Sequence, residues 1–106
     1  MTMSIIYITA GTRDEARAIA EALIAERLIA CANILGDMES IYRWQGAIER
    51  ENEIAMIVKT RKDLVGKTIA RITDLHSYTT PCAIELAIGA GNPDYLAWLA
   101  EETSGT

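Results

Sequence analysis

A single histidine and two widely separated cysteines leave this chain of 106 residues little material for chemistry. No CxxC pair and no HExxH segment occurs, which removes the usual spacings of a zinc site. The opening residues, MTMSIIYITAG, lack a basic stretch, and their apolar run is too short for a signal peptide or a membrane span. The expected compartment is therefore the cytoplasm, with no membrane partner and with both thiols reduced. Basic residues are outnumbered, 10 against 15 acidic ones for a net charge of −5, and they form no stripe. A nucleic-acid partner is not expected, and cations are the better charged ligands. Nothing marks an oxyanion hole or a nucleophile elbow, and no signature accompanies a Cys–His pair, so the chain reads as non-enzymatic.

What is present is a high apolar load, 50% of residues, in a chain sized for one domain spanning 1–106. Met3 to Ala10 reads as a first strand. Thr12-Arg13-Asp14-Glu15 has the form of a capping box, and Ala16, Ile19, Ala20, Leu23 and Ile24 recur at helical spacing through Arg27. Leu28 to Leu35 and Ser40 to Gln45 read as a second strand bent at Gly36-Asp37. Gln45-Gly46 makes a tight turn, and Ala47 to Thr60 returns as a third strand, giving an unusually long hairpin. Thr60 to Asp63 looks like a second cap, followed by an apolar stripe from Leu64 to Leu75. Cys82 to Gly89 is a fourth strand. Asn92 and Pro93 start a final helix carrying Tyr95, Leu96, Trp98 and Leu99, and a frayed tail is expected from Thr103.

This order, βαββαβ with a C-terminal helix, is that of the α+β ferredoxin-like fold, with an extended hairpin between its second and third strands. Such a fold leaves one sheet face without helices, and that face is polar in a monomer. Here Ile5 and Tyr7 alternate with Ile6 and Ile8, and Ala55, Ile57 and Lys59 with Ile54, Met56 and Val58, so both faces are largely apolar. The chain is expected to form an obligate oligomer, sheet against sheet, with the hairpin reaching onto a neighbour.

Five segments, ACANIL from Ala30, SIYRWQGAIE from Ser40, VKTR from Val58, LHSYTTPC from Leu75 and GNPDYLAWL from Gly91, together resemble the CutA family of divalent-cation tolerance proteins. The resemblance runs through nearly the whole chain. It implies a cytoplasmic homotrimer, similar in architecture to the PII signalling proteins, that binds divalent cations and copper in particular, with no cofactor needed for folding. It implies His76 as a copper donor, and Cys31 and Cys82 supply thiols suited to the same ion. The plain alternatives are a histidine bonding a helix-terminal carbonyl and two small buried core residues. Tyr42, Arg43 and Trp44 are expected at the subunit interface, where aromatic residues and arginine concentrate. Trp44, Glu53, Lys59 and Tyr78 are the candidate lining of an intersubunit pocket for a small anion or metabolite, the site of an alternative role as a signalling or scaffolding trimer.

Overall fold

The computed structural model describes residues 2–103. Its elements are β1 (Met3–Ala10), α1 (Arg13–Ala25), β2 (Cys31–Trp44), β3 (Ala47–Arg61), α2 (Val65–Leu75), β4 (Ala83–Ala87) and α3 (Pro93–Glu102). The strands form one antiparallel sheet in the order β2-β3-β1-β4, which is the ferredoxin-like arrangement. Ile6, Ile8 and Ala10 of β1 and Ile54, Met56 and Val58 of β3 face α1 and α2, and together with Ala16, Ile19, Leu23 and Ile72 they make the core. Period-2 alternation in the strands meets period-3.6 spacing in the helices on this side.

Helix boundaries follow their caps. The Thr12 hydroxyl accepts from the Glu15 N–H at 3.1 Å, while the Glu15 carboxylate reaches one residue further back, to the Gly11 N–H. α1 ends at Ala25, earlier than its apolar spacing suggests, because Arg27 is left-handed at φ 58°. The Leu28 N–H then reaches the Leu23 carbonyl and the Arg27 N–H the Ile24 carbonyl, the double closure of a Schellman motif with Leu23 and Leu28 buried beneath it. Leu28 to Ala30 is consequently a connection, and β2 begins at Cys31. Asn92 and Pro93 start α3 as the sequence suggests, the Asn92 side chain accepting from the Asp94 N–H at 2.9 Å.

Two expectations are corrected. Thr60 is not a helix cap: it is a fully buried residue of β3, and its hydroxyl donates to the Leu28 carbonyl, so a 3-10 turn at Lys62–Leu64 without a side-chain cap leads into α2. Thr103 is not frayed, since it is fully buried and its hydroxyl donates to the Leu99 carbonyl at 2.9 Å. The rest of the expected frayed tail, 104–106, lies outside the described residues. β4 is also shorter than Cys82 to Gly89, pairing with β1 only from Ala83 to Ala87.

The hairpin is continuous in space. The ladder slips between Ile34 and Asp37, at the bend expected there, and resumes to the tip, where Gln45 (φ 49°) and Gly46 (φ 85°) make the two left-handed positions of a type I′ turn. On the helix-free side of the sheet, α3 lies over one end, where the Lys59 ammonium donates to the Tyr95 hydroxyl at 3.1 Å. Ile84 and Leu86 on β4 remain half exposed.

Candidate functional site

α2 stops at His76, whose N–H still bonds the Ile72 carbonyl at 2.9 Å. The imidazole is packed inside and both of its nitrogens are engaged. Nδ1 accepts from the Tyr78 N–H at 3.1 Å, so the proton sits on Nε2, which donates to the Thr9 carbonyl at 2.7 Å. Glu15 braces the same loop from α1, accepting from the Ser77 N–H at 2.7 Å, with its Oε2 3.7 Å from His76 Nδ1. Burial by itself would raise the Glu15 carboxyl. The hydrogen bonds from Ser77 and from the Gly11 N–H outweigh burial and leave its pKa below the ordinary value. Gly11 lies close under this loop: a Cβ there would stand 3.3 Å from the Tyr78 hydroxyl, so a larger residue would require the tyrosine to shift by a few tenths of an ångström.

Held in this way, the loop from Ser77 to Cys82 lies against the base of the hairpin. The Tyr78 hydroxyl donates to Glu53 at 3.1 Å, and Glu53 is buried. Register places Glu49 opposite Tyr42, Glu51 opposite Ser40 and Glu53 opposite Met38, so the three carboxylates share the helix-free face with Tyr42 and Trp44. Between hairpin and loop lies a cleft of about 700 Å³, lined by these three glutamates, Tyr42, Trp44, Thr9, Ser77 to Thr80 and Cys82. Its field is negative. Burial and then the Glu53 hydrogen bond and charge push the Tyr78 phenol up to about 12, and burial followed by Glu51, Glu53 and Glu49 raises Tyr42. The Cys82 thiol is raised by burial and by Glu53. An arrangement that penalises every additional negative charge attracts cations.

The structure gathers some of the candidate residues and separates others. Glu53, Tyr78, Tyr42, Trp44 and Cys82 line one cleft. Cys31 does not join them: it starts β2, one edge of the sheet, while Cys82 precedes β4 at the other, three strand spacings or about 14 Å across. Its Sγ contacts Asn33 Oδ1 at 3.7 Å. Lys59 pairs with Cys31 and Ile5 far down β3 from Glu53, and Arg43 lies on the opposite face of the hairpin from Tyr42 and Trp44. The part of the pocket that this chain supplies is therefore acidic. A metal ion at His76 would have to displace one of two internal hydrogen bonds. Among the described residues no group of three or more histidine, cysteine or acidic side chains is placed to hold a metal ion. Glu49 and Glu51 were not singled out from the sequence, although their spacing with Glu53 at every second residue of a strand is the signal that puts all three on one face.

Comparison with known proteins agrees with this geometry. A family model described as CutA1 divalent ion tolerance protein matches residues 4–102. The chain is 43% identical over 99 residues to the divalent-cation tolerance protein CutA of Thermus thermophilus, covering 93% of this chain and 96% of that one. It is 43% identical over 101 residues to the CutA of Pyrococcus horikoshii, covering 95% and 98%. The solved structure of CutA1 from Oryza sativa superposes with a TM-score of 0.95 at 32% identity, covering 100% of this chain and 97% of that chain. Matching sequence, strand order and hairpin place the chain in the CutA1 divalent ion tolerance protein family.

Proposed function

We propose that this chain works as a homotrimer that binds copper or another divalent cation and catalyses no reaction. The observation that carries this reading is the floor of the cleft, where the Cys82 thiol, the buried Glu53 carboxylate and the Tyr78 hydroxyl come together beneath Glu49 and Glu51. Thiolate suits Cu(I), and the surrounding carboxylates concentrate cations of any kind. Two donors from one chain make an open site. The exposed Ile84 and Leu86 on the helix-free side call for cover by a second copy, which would bring further donors, Cys31 among them, toward the first. Membership in a divalent ion tolerance family supports the choice of ligand. His76 serves this site by holding the loop that carries Tyr78 and Cys82.

The raised Cys82 pKa gives the binding a direction with pH: the metal must displace a proton, so affinity rises as pH rises. Titration of the reduced, mass-verified protein with Cu(I) and Cu(II), beside Cys82→Ser and Cys31→Ser, checks the reading. The expected result is about one ion per subunit, released as pH falls and lost in Cys82→Ser. Equal binding by all three proteins, or none by any, would sink the copper assignment. A second reading, a PII-like trimer signalling through a small molecule, draws support from the size of the cleft, which falls in the range of ligand pockets. Saturable metabolite binding that is indifferent to Cys82→Ser would favour it.

A further inference from the structure

Glutamates stand at every second residue along the outer part of β3. The register sets Glu49, Glu51 and Glu53 on the helix-free side, each separated from the next by two strand residues, or about 7 Å. Carboxylates strung along a strand in this way do not converge on a point, so a single ion engages one or two of them. A linear ligand whose charges recur at the same interval engages all three. The walls of the cleft suit such a ligand in other respects. The lining holds these acids and no basic residue among the described ones, and Tyr42, Trp44 and Tyr78 bring aromatic rings to the same space. Glu53 is only 8% exposed; its Oε2 accepts from the Tyr78 hydroxyl, and no described residue donates to its Oε1. That oxygen keeps acceptor capacity for a bound donor. Beside an aromatic ring, the donor that complements both carboxylate and ring face is an ammonium group.

We infer that the cleft takes a linear aliphatic diamine or polyamine, laid along β3 with successive ammonium groups on Glu53, Glu51 and Glu49 and its methylenes against the rings of Tyr78, Tyr42 and Trp44. The inference rests on the cation-binding reading of this cleft and extends it from a metal ion to an organic cation. Four methylenes set two nitrogens about 6 Å apart at ordinary bond lengths, close to the two-residue step of the strand. Each ammonium then meets one carboxylate in a charge-assisted hydrogen bond, and the methylenes between them cover ring surface that water would otherwise wet. Glu53 and Glu51, the inner pair, bind a diamine. Glu49, at the outer end, adds a third contact for a triamine. The Cys82 thiol takes no part, which separates this occupant from copper.

Calorimetric titration of the reduced, metal-free protein with putrescine, spermidine and Mg²⁺ tests this. Putrescine and Mg²⁺ carry the same charge, so their comparison separates spacing from charge. Putrescine is expected to bind at about one per subunit and about tenfold or more tightly than Mg²⁺, with spermidine tighter still. Glu51→Gln should weaken both amines about tenfold or more, Glu49→Gln should weaken spermidine alone, and Cys82→Ser should weaken neither. Native mass checks that each variant keeps the assembly of the wild type, and the wild-type comparison of putrescine with Mg²⁺ decides the matter where a variant does not. Amines that bind no tighter than Mg²⁺, or that are indifferent to Glu51→Gln, would overturn the inference while copper bound by the same protein keeps the metal reading. A wild type that binds neither amines nor copper overturns both.

Discussion

β3 passes through two environments. From Ile54 to Thr60 every second residue faces the helices and is buried, and the strand is held by β1 on one side and β2 on the other. From Ala47 to Asn52 the same alternation continues, but only β2 remains beside it, and Ile48 stands in solvent. In the first half alternation separates core from the opposite face of the sheet. In the second it separates acid from base. An isolated two-stranded ribbon is at best marginally stable, so the outer half is held by continuity with the inner half and by whatever covers it. A pattern of alternation acquires its meaning from the neighbour it meets, and within this chain the outer half of the hairpin meets no third strand.

The sharpest way to break the comparison is to shorten one side chain in each half. Met56 is fully buried in the core, and Met56→Ala is expected to cost about 2–5 kcal/mol of unfolding free energy, read from the shift in urea midpoint. Ile48→Ala should cost less than about 0.5 kcal/mol in the dissociated chain, because its side chain gives up little burial there. An Ile48 deficit that grows with protein concentration, beside a Met56 deficit that does not, would place Ile48 in a contact between copies of the chain. Equal deficits in the dissociated chain would mean that both halves are packed alike within one subunit.

A middle-sized effect lies at the junction of the halves. His76→Ala leaves the Thr9 carbonyl and the Tyr78 N–H without their partners, and the cost should be about 1–3 kcal/mol, below that of Met56→Ala. Because the loop carries Tyr78 onto Glu53, local opening should follow: hydrogen exchange should quicken at Ser77 to Thr80 and at Glu53 while the α1–β1 core stays protected. A uniform rise in exchange over the whole chain would count against the imidazole as a local brace.

These elements also mark what a sequence can express. Thr12 with Glu15, Gln45-Gly46, and Asn92 with Pro93 are local devices complete within a few residues, and each works where its spacing places it. Thr60 has the same local credentials as Thr12, yet its hydroxyl goes to the Leu28 carbonyl, a partner supplied by tertiary packing. The left-handed Arg27 is similarly invisible, since nothing about arginine announces φ 58°. At the site, Glu53, Tyr78, Tyr42, Trp44 and Cys82 were legible as candidates. Their meeting in one cleft, and the exclusion of Lys59 and Cys31 from it, depend on the loop after α2 folding back against the hairpin through His76 and Glu15.

The smallest effect belongs to Glu15, which ties α1 to that loop. Its folded pKa lies below its ordinary value, so the ionised carboxylate favours the fold. The stabilisation is complete above the unfolded glutamate pKa of about 4.3 and is lost as pH falls through the lower folded value. The side chain is 19% exposed, which screens its bonds, and the contribution should be below about 1 kcal/mol. Glu15→Gln keeps the size of the side chain and removes the titration. Against wild type, its unfolding free energy should be lower at pH 6 and the difference should shrink as pH falls below 4.3, with the curves meeting once the wild-type carboxyl is protonated. A difference that stays constant down to the acid limit would show that Glu15 braces the loop by shape and neutral hydrogen bonding alone. The link between β1, α1 and the cleft would then carry no charge dependence.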